Sequence, residues 1–469
     1  MRKWRQTLAV ILAALLLSAM ADGNMDSVSA SSTAGTEQEK PESEMTEEEK
    51  AAKEAKEAYE KEIQTAYELP VQTNELKGWP KGPGTYGDAA IVMDVDSGAI
   101  LYAKNIDKKE YPASITKVLT ALLAFQYGDM SSQVTISPEA LACLGSGYAS
   151  IGLKEGNVIN LEQTMYAMLL ASANEAAYAV GETIAAGQGQ DYDWFLEQMN
   201  EKCKELGGVN SNFVNTNGVF DENHYTCARD MALIGRALFD YPLFFQICQT
   251  QQYTIPVSDT VEEHVFQQKH HMLIQGNKDY YEYAVGGKTG YTTEAENTLI
   301  TMADNGDRRL VCVVLKTYGG YPYSDTKALL DYGFDNFQKV SISEYEKDEI
   351  FEKISDDAYV MLPEGVEFDD LEREIDLHED GTRDAEVTYY YKDMPVGMCE
   401  ATVVSSYKNK EIKFGEKVKE GEQTSEKNNK GYKALAAIGL AVILMICIVI
   451  SLIVTRISRK RKRRRRRRR

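Results

Sequence analysis

Three short strings in this chain place a nucleophile or a cation beside small or polar residues. The first is Ser114-Ile115-Thr116-Lys117, which opens a stretch with helical spacing. A three-residue offset puts Ser114 and Lys117 on one face, a turn apart. A serine hydroxyl is a weak nucleophile and needs a base, and a lysine serves when burial lowers its pKa. Ala113, Ile115 and Leu119 supply apolar surroundings, and the free N–H groups of a helix start could face an oxyanion. The ordinary alternative is Ser114 as a helix cap and Lys117 as a solvated helix residue. The second string, Ser172-Ala173-Asn174, is a polar break between two apolar helical runs. Ser172 could relay a proton to a leaving group and Asn174 could hold a substrate amide or the lysine, but simple capping also accounts for both. The third is Gly286-Gly287-Lys288-Thr289-Gly290-Tyr291. Lys288 and Thr289 suit a carboxylate, small neighbours let a ligand approach closely, and an extended substrate could pair with the strand backbone. Alone it is a glycine-rich turn.

In order and spacing, S-x-x-K at 114, S-x-N at 172 and K-T-G at 288 form the motif set of penicillin-binding proteins and class A β-lactamases. Over about residues 87–405 the sequence resembles the low-molecular-mass penicillin-binding proteins that are serine-type D-alanyl-D-alanine carboxypeptidases, the peptidase S11 family. The likeness runs through Asn105–Lys117, Ser172–Ala177, Phe213–Asp230 and Gly286–Glu296, and reaches Pro395-Val396-Gly397. It implies an α+β fold of the β-lactamase/transpeptidase type, a sheet with helices on both sides, followed by a small all-β domain. By the same resemblance Ser114 is the acylated nucleophile, Lys117 its base, and Ser172 and Asn174 complete the proton relay. Lys288 and Thr289 bind the terminal carboxylate, Gly290 and Tyr291 continue that substrate-binding strand, and the N–H groups of Ser114 and Tyr291 form the oxyanion hole. The implied partners are peptidoglycan stem peptides and β-lactam antibiotics, with no cofactor and no metal. Ala173 stands where the family more often has glycine, so its methyl is expected to narrow the pocket, and a cysteine common there in some relatives is absent.

Rival readings remain within and outside this chemistry. A β-lactamase needs a further carboxylate in an E-x-x-L-N loop, and no such string occurs between Asn174 and Lys288. A D,D-endopeptidase shares all the motifs. A non-catalytic wall-binding module could keep the fold, although every catalytic position is filled here. A Ser-His-Asp triad would need a G-x-S-x-G elbow; Gly145-Ser146-Gly147 is the nearest match and lacks the pattern. Of five histidines, His224 reads as structural and His270-His271 beside Lys269 as a polar loop.

The elements that must position these residues follow from apolar spacing. Ala89–Met93 and Ile100–Tyr102, separated by Asp96-Ser97-Gly98, predict a β-hairpin. Val118, Leu119, Leu122, Leu123 and Phe125 recur at helical intervals, as do apolar residues in Leu161–Ala171, Glu175–Ile184 and Arg229–Phe239. Leu299–Met302 and Leu310–Leu315 read as strands, giving an α+β catalytic domain over 80–338. Alternating runs such as Ala385–Tyr391 predict the small β domain at 339–410. Residues 22–79, rich in Glu, Lys, Ala and Ser, read as a disordered segment passing into a charged helix, a spacer.

The chain has 469 residues and a net charge of −20, but the charge is uneven. Leaving out the ends, residues 22–455 hold 37 basic and 72 acidic side chains, too acidic for a nucleic-acid surface. Met1–Ala21 reads as a secretory signal with Ala19-Met20-Ala21 at its cleavage site, or else as an uncleaved anchor. Ala434–Val454 carries no charge and as a helix is about 31 Å long, enough to cross a bilayer. A linker at 411–433 precedes this transmembrane helix (434–455), and a basic tail follows at 456–469. Basic residues stay cytoplasmic, so the expected protein is single-pass and extracytoplasmic in its catalytic part, and the resemblance implies that the membrane is bacterial. Seven cysteines show no metal spacing, and no obligatory disulfide framework is expected.

Overall fold

The computed structural model describes residues 45–378, 380–405 and 407. The expected signal segment, the spacer up to residue 44, the linker, the membrane span and the basic tail lie outside the described residues. Among those residues no single helix is long and apolar enough to cross a membrane.

In chain order the helices are α1 (Glu47–Tyr67), α2 (Lys117–Tyr127), α3 (Pro138–Ala142), α4 (Leu161–Leu170), α5 (Asn174–Gly187), α6 (Tyr192–Glu205), α7 (Ala228–Ala237), α8 (Pro242–Gln249), α9 (Pro322–Asp335) and α10 (Ile342–Tyr345). The strands are β1 (Gly87–Asp94), β2 (Ile100–Lys104), β3 (Gln133–Thr135), β4 (Val158–Asn160), β5 (Gln252–Ile255), β6 (His264–Gln267), β7 (Ala284–Thr292), β8 (Glu296–Asp304) and β9 (Arg309–Thr317). After them come β10 (Phe337–Ser341), β11 (Phe351–Ile354), β12 (Tyr359–Pro363), β13 (Glu372–Leu377), β14 (Asp384–Tyr391) and β15 (Met394–Val403).

The main sheet runs β2-β1-β9-β8-β7, each neighbouring pair antiparallel. Its central strands are apolar on both faces, because successive side chains point to opposite sides and both sides are covered. Ile91, Met93, Val311 and Val313 face a core shared with Leu119, Met165, Val180 and Ile234 of the helices. Ala90, Val92, Cys312 and Val314 face a second core with Leu329 and Leu330 of α9 and Val360 and Leu362 of β12. Helices therefore cover both sides, as expected.

Chain returning after α9 forms the two-stranded β10-β12 sheet and the four-stranded β11-β15-β14-β13 sheet. In β14 the burial alternates, with Ala385, Val387, Tyr389 and Tyr391 inward. Trp79 joins the parts: its Nε1–H donates to the Leu101 carbonyl at 3.0 Å, and its ring stacks on Tyr391. All six described cysteines are unpaired thiols.

One expectation needs correction. Residues from α1 to Trp79 are no spacer but part of the packed body. Ala52, Ala55, Tyr59, Ile63 and Ala66 recur at helical spacing on one face, and Ala55 and Ala66 are buried. The buried Lys104 ammonium donates to the Ala66 carbonyl at 2.7 Å, satisfying an acceptor at the negative end of the helix. Small residues on that face gave little hydrophobic signal, and the charged outer face dominated the composition.

Candidate active site

The S-x-x-K string starts as one 3₁₀ turn, Ala113–Thr116, before α2 begins at Lys117. Ala113 has φ +49°, an unusual conformation for a residue with a Cβ. It is held from two sides. Thr298 Oγ1 of β8 donates to the Pro112 carbonyl at 2.8 Å. On the other side Gly218, at φ +81°, lies so close that a Cβ there would stand 1.8 Å from the Ala113 carbonyl oxygen. Thr116 is fixed as well: its Oγ1 donates to the Ala113 carbonyl and meets His224 Nε2 at 2.8 Å. Since His224 Nδ1 accepts from the Val214 N–H, its Nε2 carries the proton toward Thr116. Burial holds the His224 pKa down at about 3, so the ring is neutral and structural, as read.

Lys117 is fully buried, which excludes the solvated-helix reading. Its Nζ has three partners: Asn174 Oδ1 at 2.7 Å, the Asn217 carbonyl at 2.7 Å and Ser114 Oγ at 3.0 Å. Burial, and then the charge of Lys288, push its pKa well below the ordinary lysine value. A neutral amine has two hydrogens and one lone pair. Asn174 Oδ1 and the Asn217 carbonyl can only accept, so they take the hydrogens and the lone pair is left for the Ser114 hydroxyl. That is the arrangement of a serine poised to lose its proton.

Ser172 and Asn174 sit where α4 gives way to α5. Ser172, at φ +63°, is itself a strained position, and it lines the same cleft as Ser114 and Asn174. Asn174 is joined to Lys117 by a hydrogen bond; Ser172 is present as a wall residue. Ala173 does not narrow the pocket, because its side chain is fully buried in the helical core.

The third string is the edge strand β7. Thr289, Gly290 and Tyr291 line the cleft, and Tyr291 is largely exposed. Gly290 is required by proximity: a Cβ there would come within 2.8 Å of the Ser114 nitrogen. Lys288 lies beneath, buried, its Nζ donating to the Thr289 carbonyl at 2.8 Å. Burial and the neighbouring Lys269 lower its pKa to about 7. His270, read as part of a polar loop, is instead buried beneath β7 and β8 with Nε2 3.1 Å from Thr301 Oγ1; His271 is the half-exposed member and pairs with Asp279 at 3.1 Å.

The cleft has a volume of about 660 Å³. A more open groove of about 720 Å³ along Ser132–Pro138 and Glu182–Gly187 contains none of the three strings. Sequence reasoning missed three contributors. Asn217 acts through its backbone carbonyl, which no residue type signals. Ser146, Gly147 and Tyr148 form a cleft wall, although Gly145-Ser146-Gly147 reads in the sequence only as an incomplete serine elbow. Glu175 reads in the sequence only as the start of the helical run Glu175–Ile184. It is fully buried, and its Oε1 accepts from Ser150 Oγ at 2.7 Å and the Ile151 N–H at 2.9 Å, while the Asn174 N–H donates to the Ala149 carbonyl. The start of α5 thus pins the 146–151 loop. Glu175→Gln is expected to slow acylation roughly three- to tenfold by weakening two charge-assisted bonds. The labelling rate at full folding measures this, and an unchanged rate would show that the loop stands without the charge.

The profile of the D-alanyl-D-alanine carboxypeptidase family, peptidase S11, matches residues 80–319, more than half of the chain. The chain belongs to this family. It is a serine-type peptidase, a hydrolase. The D-alanyl-D-alanine carboxypeptidase DacF of Bacillus subtilis (strain 168) is 28% identical over 314 residues, 62% of this chain and 76% of its own length. DacB2 of Mycobacterium tuberculosis, also named a D-alanyl-D-alanine carboxypeptidase, is 31% identical over 279 residues, 58% of this chain and 87% of that protein. Among solved structures, a D-alanyl-D-alanine carboxypeptidase from Mycobacterium tuberculosis H37Rv is 29% identical and aligns with 56% of this chain and 96% of its own, with a TM-score of 0.48.

Proposed function

We propose that this peptidase removes the terminal D-alanine from peptidoglycan stem peptides through an acyl-serine intermediate, and that β-lactams acylate the same serine. The observation that carries this reading is the buried Lys117 amine shared between Ser114 Oγ and two obligate acceptors. Lys117 takes the Ser114 proton as Oγ bonds to the carbonyl carbon between the last two D-alanines. Charge builds on the carbonyl oxygen, and the N–H groups of Ser114 and Tyr291 stabilise it. Collapse breaks the C–N bond, with the proton passing by way of Ser172 to the departing amine. Water then hydrolyses the ester, and Lys117 again serves as base. Lys288 and Thr289 hold the substrate carboxylate, and Gly290 leaves room for the chain to lie along β7.

The test is to incubate the protein with a peptide ending in D-Ala-D-Ala and, separately, with penicillin. D-alanine release over many turnovers, with penicillin retained as a slowly decaying adduct, is the expected result. Rapid turnover of penicillin with no D-alanine would favour a β-lactamase. Cleavage of cross-linked dimers in preference to linear peptide would favour an endopeptidase.

The pKa of Lys288 gives a pH dependence. Below about 7 the free enzyme carries the ammonium; above it the charge is lost. The KM for a carboxylate-terminated peptide should therefore rise as pH increases through 7, while that of the C-terminal amide should not. In the opposite sense, acylation should slow as pH falls and Lys117 becomes protonated. Parallel KM profiles for acid and amide would remove Lys288 from carboxylate binding.

The apolar run at 434–454 with basic residues after it, and the Ala19-Met20-Ala21 site, support an exported enzyme tethered to a bacterial membrane by one C-terminal span.

A further inference from the structure

Helix α1 lies wholly outside the residues that match the family, 80–319, yet it reaches residues that adjoin the wall of the cleft. The contact is made by one side chain. The half-buried Tyr59 hydroxyl donates to Glu296 Oε2 at 3.3 Å and accepts the Gly319 N–H at 3.0 Å. Its ring meets Tyr318 edge-on, with centroids 5.8 Å apart. One polar partner, Glu296, adjoins the catalytic strand, and the other, Gly319, lies just beyond β9. Glu296 is the first residue of β8 and pairs with Thr292, the last of β7, so the pair closes the hairpin that begins one residue beyond Tyr291. Glu296 also has φ +51°, a conformation that a side chain tolerates only when its surroundings fix it. Gly319 is held from its other side by Asn297, whose Nδ2 donates to the Gly319 carbonyl at 2.7 Å. Asn297, Thr293 and Glu294 line the cleft with Tyr291. The hydroxyl of Tyr59 is thus one bond from each of two points that fix this end of the site.

We propose that α1 is a working part of the catalytic unit, and that Tyr59 is a positioning residue that holds the β7–β8 hairpin end so that the Tyr291 N–H and the Asn297 wall keep their place during acyl transfer. The inference rests on the acyl-serine reading of the cleft. Tyr59 touches no reacting atom; it acts through Glu296 and Gly319. Removing its hydroxyl leaves the ring packed on Tyr318 and frees the hairpin end, so the loss should fall on the chemical step and not on substrate capture.

The experiment uses the full-length chain and compares wild type, Tyr59→Phe, Glu296→Ala and the double variant, with Lys56→Gln on the exposed side of α1 as control. Rates of penicillin acylation, kcat and KM for a D-Ala-D-Ala peptide, and thermal melts are recorded for each. Tyr59→Phe should lower kcat and the acylation rate about five- to tenfold with KM within about twofold. The double variant should be no worse than the poorer single variant, because Glu296 acts through the Tyr59 hydroxyl that Tyr59→Phe already removes. Wild-type rates in Tyr59→Phe, additive losses, or a loss that merely tracks the unfolded fraction would overturn the proposal. If wild type itself is not acylated at Ser114, the reading of the cleft fails first and this inference falls with it; a labelled wild type with an equally labelled Tyr59→Phe sinks the inference alone.

Discussion

Ser114→Ala is expected to abolish penicillin labelling and to lower peptide hydrolysis at least roughly a thousandfold, because among the described hydroxyls of the cleft it is Ser114 that shares the Lys117 amine. Among the described residues the substitution removes one side-chain hydrogen bond, that between Ser114 Oγ and Lys117 Nζ. Its stability cost should stay within about 1 kcal/mol. The clamps on the turn come from Thr298, Thr116 and Gly218 and are untouched. The variant should therefore still fold and bind a D-Ala-D-Ala peptide. Loss of label with retained peptide binding by calorimetry would separate chemistry from capture; a Ser114→Ala protein that still labels stoichiometrically would move the nucleophile elsewhere.

Lys117→Met should be almost as damaging to chemistry and worse for stability. A base in this position contributes roughly 10²- to 10⁴-fold to proton transfer, so acylation should fall by that factor even in the folded fraction. Methionine fills the space but cannot donate, and it leaves Asn174 Oδ1 and the Asn217 carbonyl without the amine that both face. Each orphaned buried acceptor costs about 1–3 kcal/mol, so the melting temperature should drop clearly. The labelling rate, normalised to the folded fraction from the melt, measures the catalytic part. A normalised rate within a factor of three of wild type would show that another group removes the serine proton.

The fold was legible where burial is two-sided and continuous. Ala89–Met93 and Leu310–Leu315 read as strands because nearly every residue is apolar, and the structure covers both faces of the sheet they join. The motif residues were legible through their order along the chain: Ser114 and Lys117 share one turn, while Asn174 and the β7 strand arrive from far away in sequence. What remained hidden acts through backbone or through small side chains. The Asn217 carbonyl has no residue signature. The docking face of α1 consists of three alanines with Tyr59 and Ile63, so the charges on its other face suggested a spacer. His270 looked polar in sequence and is buried because β7 and β8 close over it. Ala173 looked like an intrusion into the pocket, yet at the start of α5 its methyl turns to the core. These outcomes depend on which way a side chain faces, and residue type alone does not fix that.

The central claim is that Ser114 is the residue acylated, and peptide mapping tests it most directly. The wild-type protein is labelled with penicillin, digested with trypsin and sequenced by tandem mass spectrometry. The account predicts one penicilloyl group per chain, on Ser114, in the peptide that runs from Glu110 to Lys117. An adduct on any other residue, or a folded protein that takes up no penicillin at all, would contradict it.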